Sequence, residues 1–400
     1  MAEHSDREHF IPIRKTDLVE LLCCDPVLTA DQQQHFRQLC RLLEATFHFD
    51  YHAKLEELKN AYAFFDPDAD TQPLAAASPE QAERQVQELF EEFGALLERA
   101  NFIRLSREDI LDALKGSSDW GINLDVDFDV FDRLEVFARG DVLGRRWRRR
   151  LRNFYRLEEV EVPIFQRLVV FFRLREHKLI GKHVDTKSVY IKVFKDIPKM
   201  DLEMLLPGTR VKLTATDRGK IVLPALSGVA ITIYKIVKGA VILAFAGVFY
   251  STLAFLGLVG GTIGYGVRSF YGYLQTKQKY QLNLTQSLYY QNLDNNAGAL
   301  FRLLNDAEEQ ECREAMLAYF HLWRAAGDRG VTTRELDDRI EQYLERTTGI
   351  RVDFEVGDAM DKLRRLQIVE QLPEDRLRAV PIGNALHALD RAWDNFFQYT

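Results

Sequence analysis

GAVILAFAGVFYSTLAFLGLVGGTIGYGV, from Gly239 to Val267, runs for 29 residues without a charged side chain. A helix needs about 20 apolar residues to cross a hydrocarbon core about 30 Å thick, so this stretch reads as membrane-spanning. It is longer than one crossing requires, whereas two crossings take about 40 residues and a turn. The apolar region Ile221 to Val267 supplies that length if a first span, near Ser227 to Phe249, carries Lys235 and Lys238. Each such lysine costs about 3 kcal/mol at mid-bilayer, and each Leu, Ile, Val or Phe returns only about 0.3 to 0.6. Basic residues favour the hairpin: Arg210, Lys212, Arg218 and Lys220 precede the region and Arg268, Lys277 and Lys279 follow it, while the turn at Tyr250, Ser251 and Thr252 has none. Under the positive-inside rule both flanks then face the cytoplasm. Gly257, Gly260, Gly261 and Gly264 form overlapping G-x-x-x-G pairs, a small-residue face on which another helix can pack. The expectation is a transmembrane helical hairpin within 221–273, with a single tilted span preceded by an interfacial helix as its alternative. A dinucleotide-binding reading of GLVGGTIGYG fails, because neither a preceding strand nor a following acidic residue accompanies the glycines.

Outside this strip the chain is polar. Its 400 residues carry a net charge of −7, with −15 over 1–139, +10 over 140–220, +4 over 221–300 and −6 over 301–400. This composition excludes a disordered, collagen-like or disulfide-framework protein. Cys23, Cys24, Cys40 and Cys312 complete no paired C-x-x-C zinc site. The first 20 residues hold five acids and no continuous apolar run, which reads as neither a secretory nor a transit signal.

The fold class expected is α+β in four parts: a helical N-terminal region (1–120), a small, mainly antiparallel β-containing domain (121–220), the transmembrane region (221–273) and a winged-helix-like C-terminal module (274–400). In the first, Thr29 with Gln32 reads as a capping box ahead of apolar residues at helical spacing from Phe36 to Phe47. Further helices are expected over Leu55–Phe65 and Glu80–Ala100, with a linker at Asp66–Glu80. His48, His52 and Glu56 fall four apart, so one helix face could offer three metal ligands, or an ordinary solvated surface. In the second part, Val126–Val130, Leu134–Ala138, Val160–Phe172 and Val189–Phe194 read as strands, with VYIKVFKDI the clearest alternation. There GRRWRRRLRNFYR places Arg145, Arg146, Arg148, Arg149, Arg150 and Arg152 beside Trp147. Beside a bilayer such a run suits anionic lipid headgroups. A solvated face paired with Glu158, Glu159 and Glu161 is the alternative, and nucleic acid the weakest of the three. In the fourth part, a long helix through Leu322, a capped helix from Thr332 to Arg346, a helix at Asp358–Leu366, two short strands around Pro373–Arg376 and a last helix from Asn384 give a winged-helix order. Residues 301–400 have 14 basic against 20 acidic residues, which argues for protein contact over DNA readout.

With FIPIRKTDLVELL at Phe10, FHFDYH at Phe47, YIKVFKDIPKMDLEMLLPG at Tyr190 and KYQLNLTQSLYYQNLDNNAG at Lys279, the chain resembles the family known as domain of unknown function 3754. That is a family of uncharacterised membrane proteins which includes a mitochondrial transmembrane protein in animals. The resemblance extends over nearly the whole chain. It implies a membrane protein, commonly with paired spans, and supplies no catalytic residue.

No P-loop, nucleophile elbow or H-E-x-x-H motif occurs, so no reaction or cofactor is named. The expected role is a membrane-anchored scaffold or interaction protein with cytoplasmic N- and C-terminal domains, in a bacterial inner membrane rather than a mitochondrial one. Its expected partners are the bilayer, anionic headgroups, and a protein partner or second copy of the chain. The alternatives are an enzyme acting on lipid or an apolar metabolite, and an oligomeric channel subunit using Lys235 and Lys238.

Overall fold

The computed structural model describes residues 8–71, 78–115, 123–149, 157–178, 184–212, 289–325 and 329–396. The expected hairpin at 221–273, with its lysines and its four packing glycines, lies outside them. Among the described residues no helix is long and apolar enough to cross a membrane.

The chain opens with α1 (Lys15–Cys23) and α2 (Ala30–Tyr62). The capping box that starts α2 is the one read from the sequence: Thr29 Oγ1 accepts from the Gln32 N–H at 3.2 Å, and Gln32 Oε1 accepts from the Thr29 N–H at 3.0 Å. The two helices expected at Phe36–Phe47 and Leu55–Phe65 are one. No glycine or proline interrupts 48–54, and Tyr51 carries the buried stripe across the gap from Phe47 to Leu58. Next, α3 (Pro79–Arg99) starts at a second box, Ser78 with Gln81, and β1 (Ile103–Arg104) and α4 (Arg107–Lys115) follow.

Two strands, β2 (Asn123–Asp125) and β6 (Arg210–Lys212), pair with each other in a small antiparallel ladder. The strand expected at Val126–Val130 is instead a 3-10 turn at Phe128–Val130, where Asp127 and Asp129 suit a turn better than a ladder. The main sheet is built from β3 (Phe131–Arg149), β4 (Leu157–Leu174), β5 (Val189–Pro198) and β7 (Asn292–Asn295), in the order β1-β3-β4-β5-β7. Val189, Ile191 and Val193 are buried on one face of β5, as the alternation predicts. Strands β3 and β4 pair from Phe131 opposite Leu174 out to Arg149 opposite Leu157. The registered partners of β4 on β5 stop at Ile164, and β1 reaches only Phe137 and Ala138. The outer half of the hairpin therefore continues as a two-stranded ribbon. Gly140, at φ 74°, marks the transition, and a Cβ there would come within 2.6 Å of the Gln166 side chain.

After β7 come α5 (Asn296–Ala325), β8 (Val331–Thr332), α6 (Thr333–Thr348), α7 (Val356–Arg365), β9 (Val369–Leu372), β10 (Arg376–Ala379) and α8 (Ile382–Asp394), with a small sheet ordered β8-β10-β9. Thr332 and Glu335 cap α6 reciprocally, and Gly349, left-handed at φ 71°, closes it.

Contacts divide the chain into two units: Met1–Leu111 with Asp129–Lys199 and Leu293–Thr400, and Asp112–Phe128 with Met200–Asn292. In the second, besides the β2–β6 ladder, the Thr209 hydroxyl closes a turn on the carbonyls of Glu203 and Leu206 at 2.6 and 2.7 Å. The first gathers segments from regions the sequence reading kept apart, because the sheet needs helices from both chain ends to cover its apolar face. It holds two apolar cores. One joins α1 and the first half of α2 to the last half of α5, α6, α7 and α8. The other joins the second half of α2 and α3 to the sheet and the first half of α5. Helices α2 and α5 run through both. They pass from one core to the other between Phe47 and Tyr51 and between Ala307 and Cys312.

Candidate functional site

At that seam α5 carries Glu308, Glu309, Gln310, Glu311, Arg313 and Glu314, and all but Glu309 are buried. Burying an ionised group costs several kcal/mol unless it is paired and hydrogen-bonded, so each of these side chains must find a partner. Lys15 from α1 lies 2.8 Å from Glu309 and also reaches Glu44 of α2. Burial works against its ammonium, but the hydrogen bonds to Glu309 and Glu44 outweigh it and raise the pKa. Arg313 donates to the Ile13 carbonyl at 3.0 Å, and Gln310 Oε1 accepts from the Ile11 N–H at 3.3 Å. The chain before α1 is thus held by polar groups of α5. Phe10 is gripped by two guanidinium groups, Arg139 at 4.1 Å and Arg313 at 4.8 Å from its ring centre.

Lys362 of α7 serves three carboxylates: Glu314 at 3.4 Å, Glu311 at 3.5 Å and Asp358 at 3.7 Å. Glu314 also accepts from Gln310 at 2.8 Å and from Asn101 at 3.1 Å. Burial outweighs these partners and lifts its pKa to about 7. Two turns along α5, His321 is pushed the other way: burial first, then the charge of Arg339, lowers its pKa to about 4. Its Nε2 is buried without a hydrogen-bond partner, and its ring lies edge-on to Phe320 and Tyr343.

Beside Lys362 is a cavity of about 250 Å³, walled by α2 and the end of α3 on one side and by α5 and α7 on the other. Phe47, Tyr51, Lys54 and Arg99 line the first wall, and Glu311, Asp358 and Lys362 the second. These side chains bring two lysines, an arginine, two carboxylates and a phenol to one space.

The sequence-predicted metal trio lies along α2, and two of its members are already engaged. His48 Nδ1 is 3.1 and 3.2 Å from the two oxygens of Glu308, and Glu56 accepts from Lys59 at 2.9 Å. His52 is exposed. Among the described residues no three His, Cys, Asp or Glu side chains gather as a metal set would. Arg145 is exposed on the ribbon with Glu161 opposite. Arg146, Arg148 and Arg149 follow it on β3, opposite Val160, Glu158 and Leu157, while Arg150 and Arg152 lie outside the described residues. The register thus places two arginines across from glutamates, and four of the six arginine positions fall on one two-stranded ribbon.

Sequence reasoning missed the seam, because charges on an amphipathic helix ordinarily mark its solvent face. A signal was present. The residues after Glu314 read AMLAYFHL, apolar on every side, and a helix apolar all round is buried, so the charges leading into it are buried as well.

No solved structure matches the chain. Residues 165–298 match a family described as a protein of unknown function, DUF3754. The match begins in β4, takes in β5 and β7, and ends in the first turn of α5. It includes the segments quoted at Tyr190 and Lys279 but not those at Phe10 and Phe47. A DUF3754 domain is therefore present at residues 165–298, spanning the place where the chain leaves the main sheet and rejoins it.

Proposed function

We propose that this chain is a membrane-anchored interaction protein, with Gly239–Val267 housed in lipid as part of a helical hairpin and with the unit built on the main sheet lying on one side of the bilayer. The adjacency of β5 and β7 carries the reading. The chain leaves the sheet at Pro198 and returns at Asn292 on the neighbouring strand. Asn296 anchors the return by accepting from the Ile191 N–H at 3.2 Å. Hydrogen-bonded neighbours cannot lie on opposite sides of a membrane, so any passage through lipid between them must cross an even number of times. One tilted span would violate this, and two crossings satisfy it. The basic flanks on both sides of the strip agree with that count.

On this reading the arginine ribbon is an exposed arm for anionic headgroups, each arginine near such a surface contributing about 1 kcal/mol. The C-terminal part, with the strand and helix order of a winged helix and an acidic balance, serves as a protein-contact surface. Cysteines introduced one at a time in 140–160 and 340–360 of the full chain, in sealed vesicles, should react with an impermeant reagent from the same side. Labelling from opposite sides, or recovery of the protein free of the membrane without detergent, refutes the proposal.

A further inference from the structure

The seam cavity is unevenly charged once its internal pairs are set aside. Asp50 is bonded to Arg365 at 2.7 Å, and Asp361 to Arg364 at 3.1 Å. On the wall of α5 and α7, Lys362 is shared by three carboxylates, and Glu311 Oε1, buried 3.5 Å from that ammonium, is ion-paired to it without the geometry of a hydrogen bond. On the wall of α2 and α3 the imbalance is reversed. Lys54 and Arg99 both line the cavity, and among the described residues neither makes a hydrogen bond or ion pair; Lys54 only rests 4.9 Å from the centre of the Tyr51 ring. Burial, and then the nearby Arg99 guanidinium, pull the Lys54 ammonium below its usual pKa. The Tyr51 hydroxyl is buried between these groups and faces the Glu311 carboxylate. Burial, and then the charge of Glu311, keep that phenol protonated.

Two cations without an ion-pair partner, a buried hydroxyl and a carboxylate whose only cation, Lys362, is shared with two others therefore face one space. Its volume of about 250 Å³ lies just under the range of roughly 300–1,000 Å³ found for drug-sized ligands, so it suits a small metabolite or headgroup. We propose that this cavity binds a small molecule with an oxyanion at one end, held by Lys54 and Arg99, and an ammonium or hydroxyl donor at the other, which meets Glu311 Oε1. Lysine and arginine are the residues that bind phosphate and carboxylate, and the donor end adds a hydrogen bond to a carboxylate whose cation is divided among three acids. The inference does not depend on the membrane reading, since every group involved belongs to the unit that contains the main sheet.

Calorimetric titration of the purified full chain with O-phosphoethanolamine, inorganic phosphate and ethanolamine tests it. Phosphoethanolamine should bind, phosphate about tenfold more weakly, and ethanolamine not measurably. Lys54→Met and Arg99→Gln should each weaken phosphoethanolamine binding about tenfold or more, and Glu311→Gln should erase its advantage over phosphate. Without ligand, Lys54→Met should melt at or above the wild-type temperature, since it relieves a repulsion between like charges. Phosphatidylethanolamine vesicles added in competition distinguish the sources: displacement assigns a lipid headgroup and its absence a free metabolite, and both sustain the site. Three results would overturn it: no binding of either phosphate compound, binding undiminished in the Lys54→Met, Arg99→Gln double variant, or a Lys54→Met protein less stable than wild type.

Discussion

Glu308–Glu314 on α5 and Arg145–Arg152 at the end of β3 look alike on paper, as dense runs of charge with a few apolar letters between them. In the folded chain the first is buried at the junction of two cores, and the described part of the second rides a ribbon beyond the reach of the neighbouring strands. What separates them is the company each run keeps. Helix α5 is apolar on all sides after Glu314, so its charges are carried inside with it and must be met by Lys15, His48 and Lys362. Along the ribbon β3 and β4 pair only with each other, since the registered partners on β1 and β5 stop before it. A charge buried in a unit is a structural commitment, and it must be met by a partner inside the same unit.

The contrast predicts unequal costs. The largest should come from Lys362→Met, which leaves Glu311 and Glu314 without their shared cation and should cost about 3–5 kcal/mol at pH 8 by denaturant unfolding. The loss should shrink near pH 5.5, where Glu314 becomes neutral. Next in size is a pair of opposed pH effects. Folded Glu314 takes up its proton near pH 7, against 4.5 when unfolded, so its contribution grows as pH falls through that window and is lost above it. His321, at about 4 when folded against 6.5 unfolded, contributes above pH 6.5 and loses that contribution as pH falls toward 4. Each should be worth roughly 3 kcal/mol, and in the wild type they largely cancel. Unfolding free energies measured from pH 8 to 4.5 should therefore fall steeply in Glu314→Gln and rise in His321→Phe. Parallel profiles for the two variants would show that the buried run is not poised as described.

Smaller still, exchanging Arg148, Arg149 and Arg150 for glutamine should change stability by less than about 0.5 kcal/mol while weakening sedimentation with anionic vesicles. A stability loss of several kcal/mol would mean that the ribbon is packed after all, and the contrast would fail. An equally small effect belongs to the rim of the seam: Asp50→Asn removes the pair with Arg365, whose side chain is 61% exposed, and should cost no more than about 0.5 kcal/mol.

Local features were legible in the sequence because local chemistry determines them. The capping boxes at Thr29 and Thr332, the alternation from Val189 to Pro198, the two strands around Pro373 and the final helix all follow from spacings of a few residues. The joining of 36–47 and 55–65 into one helix was hidden because aromatic residues around His48 have no decisive helical preference, and burial of Phe47 and Tyr51 settles it. The seam and its cavity were illegible for a different reason. Lys54, Arg99, Glu311 and Lys362 come from four helices spread over some three hundred positions, and each taken alone resembles a solvated surface charge. The trio of His48, His52 and Glu56 was visible because it is periodic. Periodicity, however, says nothing of Glu308 or Lys59, which occupy two of its members.

The neighbouring placement of β5 and β7 also makes the molecule divisible. Residues 199–291 could be exchanged for a short engineered turn without cutting a hydrogen-bonded strand of the main sheet, and Asn296 would still hold the rejoined edge. Such a shortened protein would let the seam chemistry be studied in plain buffer, with the greasy insert removed.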